Sequence, residues 1–434
     1  CCIRSVGESS LGHLLKERES VSEDVRVTAH KIKMESGNIP KKKADQLLPE
    51  TSKLKSVRNT KFFKLSTWNV VGVIFLALVG RKFWMGHNAM KYVQECSSEV
   101  TLEKMMESTY LRRTIQALPS NKPSLQESHV RHVQSRDLGV HSSLLIVTMD
   151  AVADRQLEEI WPNVNRLNWN MPCLSDGFNY GDGRYQLFYV FRGNLAQALI
   201  EHGKPFWMIQ QDTYWYKNLL DLDVNAESKN INADIVFDRA AESDASKLIA
   251  GGYFLVRPTE GSKRFFTALV NYIQDWYVPD NAYMTSLCAD SALEVKCGFV
   301  PFSALTNWIW FFQPNRRAGS DKVPMLVQFD GDTKLGGKLA KIRDLGFNFS
   351  DDNGKCFTDA IGDAAKIVEL LVDQKHNSTS DASNGTEWKI SRSYSQWQFG
   401  MYQAIIDQLY KFRITELFLN KIVYPFAYYF MITL

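Results

Sequence analysis

The sequence predicts an α/β protein built around a mostly parallel sheet that is flanked by helices. Apolar runs of strand length alternate with helical stretches between residues 142 and 373, and this alternation is typical of βαβ units. Several of these runs end abruptly in an acidic residue, at the place where strands of an open sheet bind their ligand. Of the 434 residues, 45% are hydrophobic and 12% aromatic, which is ample for a globular core.

The N-terminal part has a different character. Residues 1–64 are rich in Lys, Glu and Ser and lack sustained periodicity, which predicts a disordered cytosolic tail. The uncharged run Leu65 to Gly80 follows; as a helix it would be roughly 24 Å long, short of a hydrocarbon core of roughly 30 Å. With its basic and aromatic flanks it predicts a single transmembrane signal-anchor over residues 65–85. A buried core helix is the alternative.

The excess of Lys and Arg before this run predicts a cytosolic N-terminus and a C-terminal part in the secretory lumen. Residues 86–141 are then a polar stem, residues 142–373 the globular domain, and residues 374–434 a glycosylatable loop with a C-terminal helical tail. Sequons at Asn348, Asn377 and Asn384 agree with a lumenal location.

Within the globular domain the pattern predicts strands and helices in alternation. The predicted strands are 144–149, 166–170, 205–209, 233–237 and 252–257, and the predicted helices are 151–161, 185–201, 260–277 and 359–372. The chain has seven cysteines and no CxxC, so a zinc knuckle is not expected. In an oxidising lumen Cys288 with Cys297, and Cys173 with Cys356, are candidate disulfides; isolated buried thiols are the alternative.

Three predicted strands end in an aspartate: Asp150, Asp212 and Asp238. Because the carboxyl ends of parallel strands lie at one edge of a sheet, these carboxylates are candidates for a shared ligand site. Each by itself is equally compatible with a helix cap or a turn. A net charge of +3 and the absence of a basic stripe interleaved with aromatics argue against a nucleic-acid partner.

A second pattern lies near residue 330. A short apolar strand is followed by Gln328, Gly331 and Lys334 at three-residue spacing, with Asp330 between them. Glycine lets the backbone approach a phosphate closely, and a lysine three residues later can place a charge on a diphosphate. An Asp-Gly turn is the simpler interpretation of this stretch.

These segments together resemble the nucleotide-diphospho-sugar transferases, which are glycosyltransferases of the GT-A type. The stretch from Phe206 to Trp215 is similar to the metal-binding strand of that family, which ends in Asp-x-Asp; here the triplet ends in Asp212 but begins with Gln210. The spacing Gln328, Gly331 and Lys334 is similar to the His-x-x-Gly-x-x-Lys element of the retaining enzymes, with glutamine in the histidine position.

Three further positions extend the resemblance. Gly251 and Gly252 match the small residues that line the sugar pocket, Asp280 falls where the family has Asp-Gln before a helix, and Arg192 takes the place of a common basic residue. The matched segments keep the family order from Leu144 to Lys334.

The resemblance implies a Rossmann-like GT-A domain that uses a nucleotide-sugar donor and Mn²⁺ or Mg²⁺. The implied metal ligands are Asp212, Gln328, through its amide oxygen, and Asp330. The implied nucleotide and diphosphate contacts are Asp150, Arg192, Gly331 and Lys334, with Gly251 and Gly252 at the sugar. The implied catalytic carboxylates are Asp212, Asp238 and Asp280.

The resemblance also implies a glycan, protein or lipid acceptor and a type II protein of the Golgi membrane, with its catalytic domain lumenal. Both departures from the family pattern, at Gln210 and Gln328, fall on metal-ligand positions. An alternative is therefore a sugar-nucleotide transferase fold that has lost metal-dependent catalysis and acts as a lumenal binding or scaffold protein. An α/β ectodomain of another family is the third possibility.

Overall fold

The chain is a mixed α/β protein whose structure, a computed structural model, describes most of residues 67–373. The described residues are 67–117, 124–128, 140–174, 182–225, 232–240, 247–307, 309–312, 323–329, 342–343, 345–349, 357, 359–373 and 418. Two compact units divide near residue 81, and the unit from Lys82 onward holds the sheets. The predicted cytosolic tail lies outside the described residues, as does the C-terminal tail apart from Phe418.

The elements follow one another as strands and helices in alternation. The helices are α1 (Thr67–Cys96), α2 (Leu102–Glu107), α3 (Thr109–Ala117), α4 (Ala151–Ile160), α5 (Gly183–Glu201), α6 (Glu260–Asp275), α7 (Asp280–Ala289), α8 (Ile309–Phe312) and α9 (Ala360–Asp373). The strands are β1 (Ser124–Ser128), β2 (Leu144–Thr148), β3 (Asn165–Asn168), β4 (Phe206–Gln210), β5 (Thr213–Trp215), β6 (Ile235–Arg239), β7 (Ile249–Val256), β8 (Cys297–Phe299), β9 (Leu305–Thr306) and β10 (Leu326–Gln328).

The main sheet has seven strands in the order β3-β2-β1-β4-β7-β6-β8. All neighbours are parallel except β7, which runs antiparallel to both β4 and β6. The mostly parallel sheet predicted from the alternation is thus confirmed. The single reversed strand has a consequence for the site, because the start of β7 lies at the same edge as the carboxyl end of β4.

Both faces of the sheet are covered, because strand side chains alternate between the faces. Leu145 and Val147 of β2 pack into one core with helices α5 and α6, whereas Leu144 and Ile146 face a second core. The first core also takes almost all of α5, which is buried around its whole circumference. Its polar side chains Gln186, Arg192, Asn194 and Gln197 are buried as well, so the helix has no polar face toward solvent.

A smaller sheet continues from the end of β4. It has the order β5-β10-β9, with β10 antiparallel to β5 and parallel to β9. Its apolar side packs against α9 in a third core that includes Tyr214, Phe329 and Phe347. The small sheet thus brings β10, which is distant in sequence, against the segment that follows β4.

The structure corrects the boundary of the globular domain. Residues 86–141 were predicted to be a stem, but β1 pairs with both β2 and β4 in the middle of the main sheet. Val93, Met105 and Ile115 are fully or almost fully buried in the first core. The described parts of this segment therefore belong to the folded domain, and the prediction of a spacer is wrong.

Within the described residues, none of the helices contains an apolar stretch long enough to cross a membrane. The signal-anchor over residues 65–85 stays a prediction.

Two disulfides cross-link the domain. Cys288 pairs with Cys297, as the sequence allowed. The second prediction is wrong in its partner, because Cys173 pairs with Cys96 at the end of α1. This bond, together with a hydrogen bond from the Tyr92 hydroxyl to the Cys173 carbonyl, attaches α1 to the segment after β3.

We expect the Cys96–Cys173 disulfide to stabilise the fold more than Cys288–Cys297, because it closes the longer loop. The sequence separations are 77 and 9 residues, for which loop-closure entropy suggests about 4.5 and about 2.6 kcal/mol. Urea unfolding of the double variants Cys96→Ala/Cys173→Ala and Cys288→Ala/Cys297→Ala measures the difference. An equal or smaller loss in the first variant would contradict this expectation.

Candidate functional site

Three segments meet at the edge of the main sheet where β4 ends. Residues 210–213 link β4 to β5, residues 249–252 begin the antiparallel strand β7, and Gln328 ends β10 opposite Thr213. The backbone N–H of Phe329 donates to the carbonyl of Asp212 at 2.7 Å, which continues this pairing by one residue. Open α/β sheets bind ligands outside the carboxyl ends of their strands, so this edge is the candidate site.

Two consecutive hydrogen bonds from side-chain amides join the three segments. Gln210 Nε2 donates to the Gly251 carbonyl at 3.4 Å, and Gln328 Nε2 donates to Gln210 Oε1. Gln328 is buried, with 2% of its surface exposed. Its amide packs against Gly252, where a Cβ would stand 2.2 Å from Gln328 Oε1. Only glycine at residue 252 leaves room for this arrangement.

Asp238 organises the start of β7 from the neighbouring strand. Its carboxylate accepts the backbone N–H groups of Gly251, Gly252 and Tyr253 at 2.9–3.0 Å, at the point where the β6–β7 register shifts. Burial raises the pKa of Asp238 to about 7, although these hydrogen bonds and nearby Arg192 lower it. Asp238 was predicted to be catalytic, but its contacts are those of a residue that positions the backbone.

Arg192 and Asp280 form a buried ion pair next to the backbone at the start of β7. Arg192 Nη1 lies 3.0 Å from Asp280 Oδ2, and both side chains are at most 6% exposed. Arg192 Nη2 donates to the Gly251 carbonyl at 2.7 Å, and its guanidinium lies 4.7 Å from the Phe254 ring centroid. Burial raises the pKa of the Asp280 carboxyl, and the charge of Arg192 opposes that shift.

This geometry changes the expected roles of both members of the pair. Arg192 was predicted to contact the nucleotide and Asp280 to be catalytic. Each instead binds the other, and together they join α5, α7 and the start of β7. They are positioning residues for Gly251 and Gly252. Those two glycines lie at the sheet edge, and their place in a sugar pocket stays a prediction.

Asp212 and Asp150 lie after different strands. Asp212 follows β4 and is 8% exposed. Asp150 follows β2, and its Oδ1 accepts the N–H groups of Val152 and Ala153 at 2.9 and 2.7 Å, which makes it the N-cap of α4. The described contacts do not join Asp150 to the amide chain. Asp330, Gly331 and Lys334 lie outside the described residues.

The described residues do not fit the divalent cation that the resemblance implies. Mn²⁺ and Mg²⁺ favour carboxylate oxygens, and Mn²⁺ also accepts imidazole. Where the family pattern has a carboxylate and an imidazole, the structure has the neutral amides of Gln210 and Gln328 bonded to each other. In the described part of the chain, no group of three or more His, Cys, Asp or Glu side chains is placed to hold a metal.

The sequence reasoning missed a basic residue at this edge. Arg239 ends β6, one residue beyond Asp238, and its guanidinium lies 5.1 Å from the Phe299 ring centroid. The side-chain amide of Asn307 donates to the Arg239 carbonyl at 3.3 Å. The predicted strand ends at residue 237, and Asp238 and Arg239 follow it directly. This charged pair at a strand end was the sequence feature that could have identified Arg239.

Residues 139–345 match the family model of the nucleotide-diphospho-sugar transferases. The chain is similar to the apo structure of the WbbM bifunctional glycosyltransferase at 10% identity and a TM-score of 0.33, covering 59% of this chain and 52% of that one. The chain thus spans about half the length of that structure. No curated protein matches significantly.

The α/β sheet with its candidate site beyond β4, together with the family match, supports a glycosyltransferase. Residues 139–345, just under half of the chain, are similar to the nucleotide-diphospho-sugar transferases. The recognition made from the ordered motifs is confirmed.

We expect Asp280→Asn to lower the free energy of unfolding by about 3–5 kcal/mol, because it leaves Arg192 charged and buried without its carboxylate. The loss in Arg192→Met/Asp280→Asn should be smaller than the sum of the two single losses, since the pair acts as a unit. Urea unfolding of the four proteins gives both values. Asp363→Asn, at an exposed ion pair with Lys366, is the control and should change little. Additive losses would contradict the pairing.

Proposed function

We propose that this protein transfers a sugar from a nucleoside-diphosphate donor to an acceptor hydroxyl, at the edge where β4, β7 and β10 meet. The observation that carries the proposal is the convergence of residues 210–213, Gly251, Gly252 and Gln328 at one sheet edge within the matched family segment. The mostly parallel sheet with one reversed strand supports the GT-A arrangement expected from the sequence.

The transfer exchanges one bond at the anomeric carbon for another. The bond from that carbon to the diphosphate oxygen breaks, a bond to the acceptor oxygen forms, and the acceptor proton passes to a base or to water. The leaving diphosphate carries the negative charge that builds up, so cations and N–H donors near it favour departure. Lys334 is the candidate from the sequence, and Arg239 is a cation that the structure places at this edge.

Asp212 is the carboxylate that we assign to the reacting part of the site. It follows β4 directly and is held by the backbone bond from Phe329, so its position depends on the small sheet. We assign Asp212 to the donor sugar or the acceptor hydroxyl. Gly251 and Gly252 have no side chains, which lets Asn281 and Gln328 pack directly against the backbone at the start of β7 beside Asp212.

Asp238, Asp280 and Arg192 hold the start of β7 in place. Asp238 accepts three successive backbone amides of β7, and Arg192, paired with Asp280, donates to the Gly251 carbonyl. Because all three side chains are buried, they act on the donor through the position of Gly251 and Gly252.

We place the protein in the lumen of the secretory pathway, and the Golgi is the compartment that the resemblance implies. Two disulfides, which persist mainly in oxidising compartments, support this placement. The sequon asparagine Asn348 is exposed on the domain surface, where a glycan is tolerated. Asn377 and Asn384 lie outside the described residues.

Donor turnover tests the proposed activity. We expect the 434-residue chain to release nucleoside diphosphate from one member of a panel of UDP- and GDP-sugars, and Asp212→Asn to lower the rate at least about a hundredfold, as loss of a charged group at the reacting centre does. Asp363→Asn is the matched control. Each donor is assayed with a panel of sugar, peptide and lipid acceptors by measuring the nucleotide released.

Binding is measured on the same donors by calorimetry. A donor that binds without turnover under any acceptor would favour the alternative of a sugar-nucleotide-binding protein. Failure of every donor to bind would overturn the proposed function.

Glycosylation tests the compartment. We expect the chain expressed in eukaryotic cells to shift in apparent mass on treatment with an N-glycanase, since its sequons would have passed through the lumen. Asn348→Gln should remove one glycan from the ladder, because that asparagine is exposed. Gln substitution at a non-sequon asparagine, Asn225, is the control. A chain without glycans would contradict lumenal placement.

A further inference from the structure

We infer that this chain binds its nucleotide-sugar donor without a divalent cation, and that the hydrogen-bonded pair Gln210 and Gln328 takes the place of the metal. The inference rests on the proposed function and specifies the chemistry of the same site. It disagrees with the Mn²⁺ or Mg²⁺ requirement that the family resemblance implies.

The orientation of the pair follows from the acceptor beside it. The Gly251 carbonyl accepts from Gln210 Nε2 at 3.4 Å, so the amide of Gln210 is turned with its nitrogen toward Gly251. Its oxygen then faces Gln328, which donates through Nε2. The Oε1 atom of Gln328 remains against Gly252. The oxygen of Gln210 is thus already used as an acceptor inside the protein.

A cation would have to replace this hydrogen bond. The two amides are neutral, so they provide no negative charge to offset the dehydration of a divalent ion. Moving them apart would also leave the buried Nε2 of Gln328 without its acceptor, which is costly in a side chain that is 2% exposed. The Gly251 carbonyl is further occupied by Arg192, whose charge disfavours a second cation nearby.

The Gln210–Gln328 pair joins the same two strand ends that a shared metal ion would join. A metal held by the end of β4 and the end of β10 would cross-link two segments that are 118 residues apart. The Gln210–Gln328 bond makes that cross-link between the same two positions. It closes the strand ends around Gly251 and Gly252 before any ligand arrives, so the site is preorganised without an ion.

Donor binding with and without metal tests the inference. Calorimetry measures the Kd of the full chain for its UDP- or GDP-sugar in excess EDTA and in Mn²⁺. We expect the two Kd values to agree within about twofold. A Kd that is tenfold or more weaker in EDTA would overturn the inference. In that case Asp212→Asn and Asp330→Asn, measured in Mn²⁺, would identify the carboxylate that holds the ion.

The reverse substitution supplies a test that does not depend on the donor. Gln210→Asp/Gln328→His restores the ligand types of the family pattern, and we expect this variant to bind Mn²⁺, measured from the loss of the free-ion signal in electron paramagnetic resonance. The wild-type chain should leave that signal unchanged. The single variant Gln328→His is the second protein in case the double variant unfolds, which circular dichroism reports. Gln197→Asp, at a buried glutamine away from this edge, is the control.

The two tests separate this inference from the proposed function. If no donor binds to the wild type, the proposed function fails and the Mn²⁺ titration decides the inference by itself. Mn²⁺ bound by the reverse variants but not by the wild type supports it. Mn²⁺ bound by the wild type and lost in Asp212→Asn overturns it, as does a folded reverse variant that binds no Mn²⁺.

Discussion

The site depends on the buried charge of Arg192. A guanidinium that is 4% exposed has to be paired and hydrogen-bonded, because an unpaired charge in the interior is very costly. Asp280 supplies the counter-charge and the Gly251 carbonyl a further acceptor. These bonds fix α5, α7 and the start of β7 relative to one another. Asp238 also holds the start of β7, because its carboxylate accepts hydrogen bonds from three successive backbone N–H groups.

The proposed function rests on the groups that this scaffold holds at the sheet edge. With Gly251 held, the amide of Gln210 has a fixed acceptor and Gln328 has a fixed partner, so the ends of β4 and β10 are joined by neutral groups. Gly252 has no side chain to disturb them. The result is a group of neutral amides beside Asp212, within the segment that matches the nucleotide-diphospho-sugar transferase model. Neutral amides can hydrogen-bond to hydroxyl groups, whereas they offer no negative charge to a metal ion.

Local patterns were sufficient for most of the frame. The apolar runs that become β2, β4 and β7 and the periodic stretches that become α4, α5 and α6 are found within a few residues of the predicted positions. Strand β1 was missed because Ser124–Ser128 is a polar pentapeptide; it is a strand because β2 and β4 provide hydrogen-bond partners on both sides. The sequence of residues 86–117 predicts a spacer because most of its positions are polar and only a few apolar side chains enter the core.

The sequence by itself determined the fold class, the family resemblance and the place of the site, since each rests on local periodicity or on residues close together in the chain. Only the tertiary structure decided what the site residues do. Arg192 and Asp280 are 88 residues apart, and Gln210 and Gln328 are 118 apart. From the sequence alone, a glutamine at a metal-ligand position is interpreted as a poor metal ligand, because its hydrogen-bond partner is not visible there. The fold brings two such glutamines together, and the hydrogen bond between them makes each a structural part of the site.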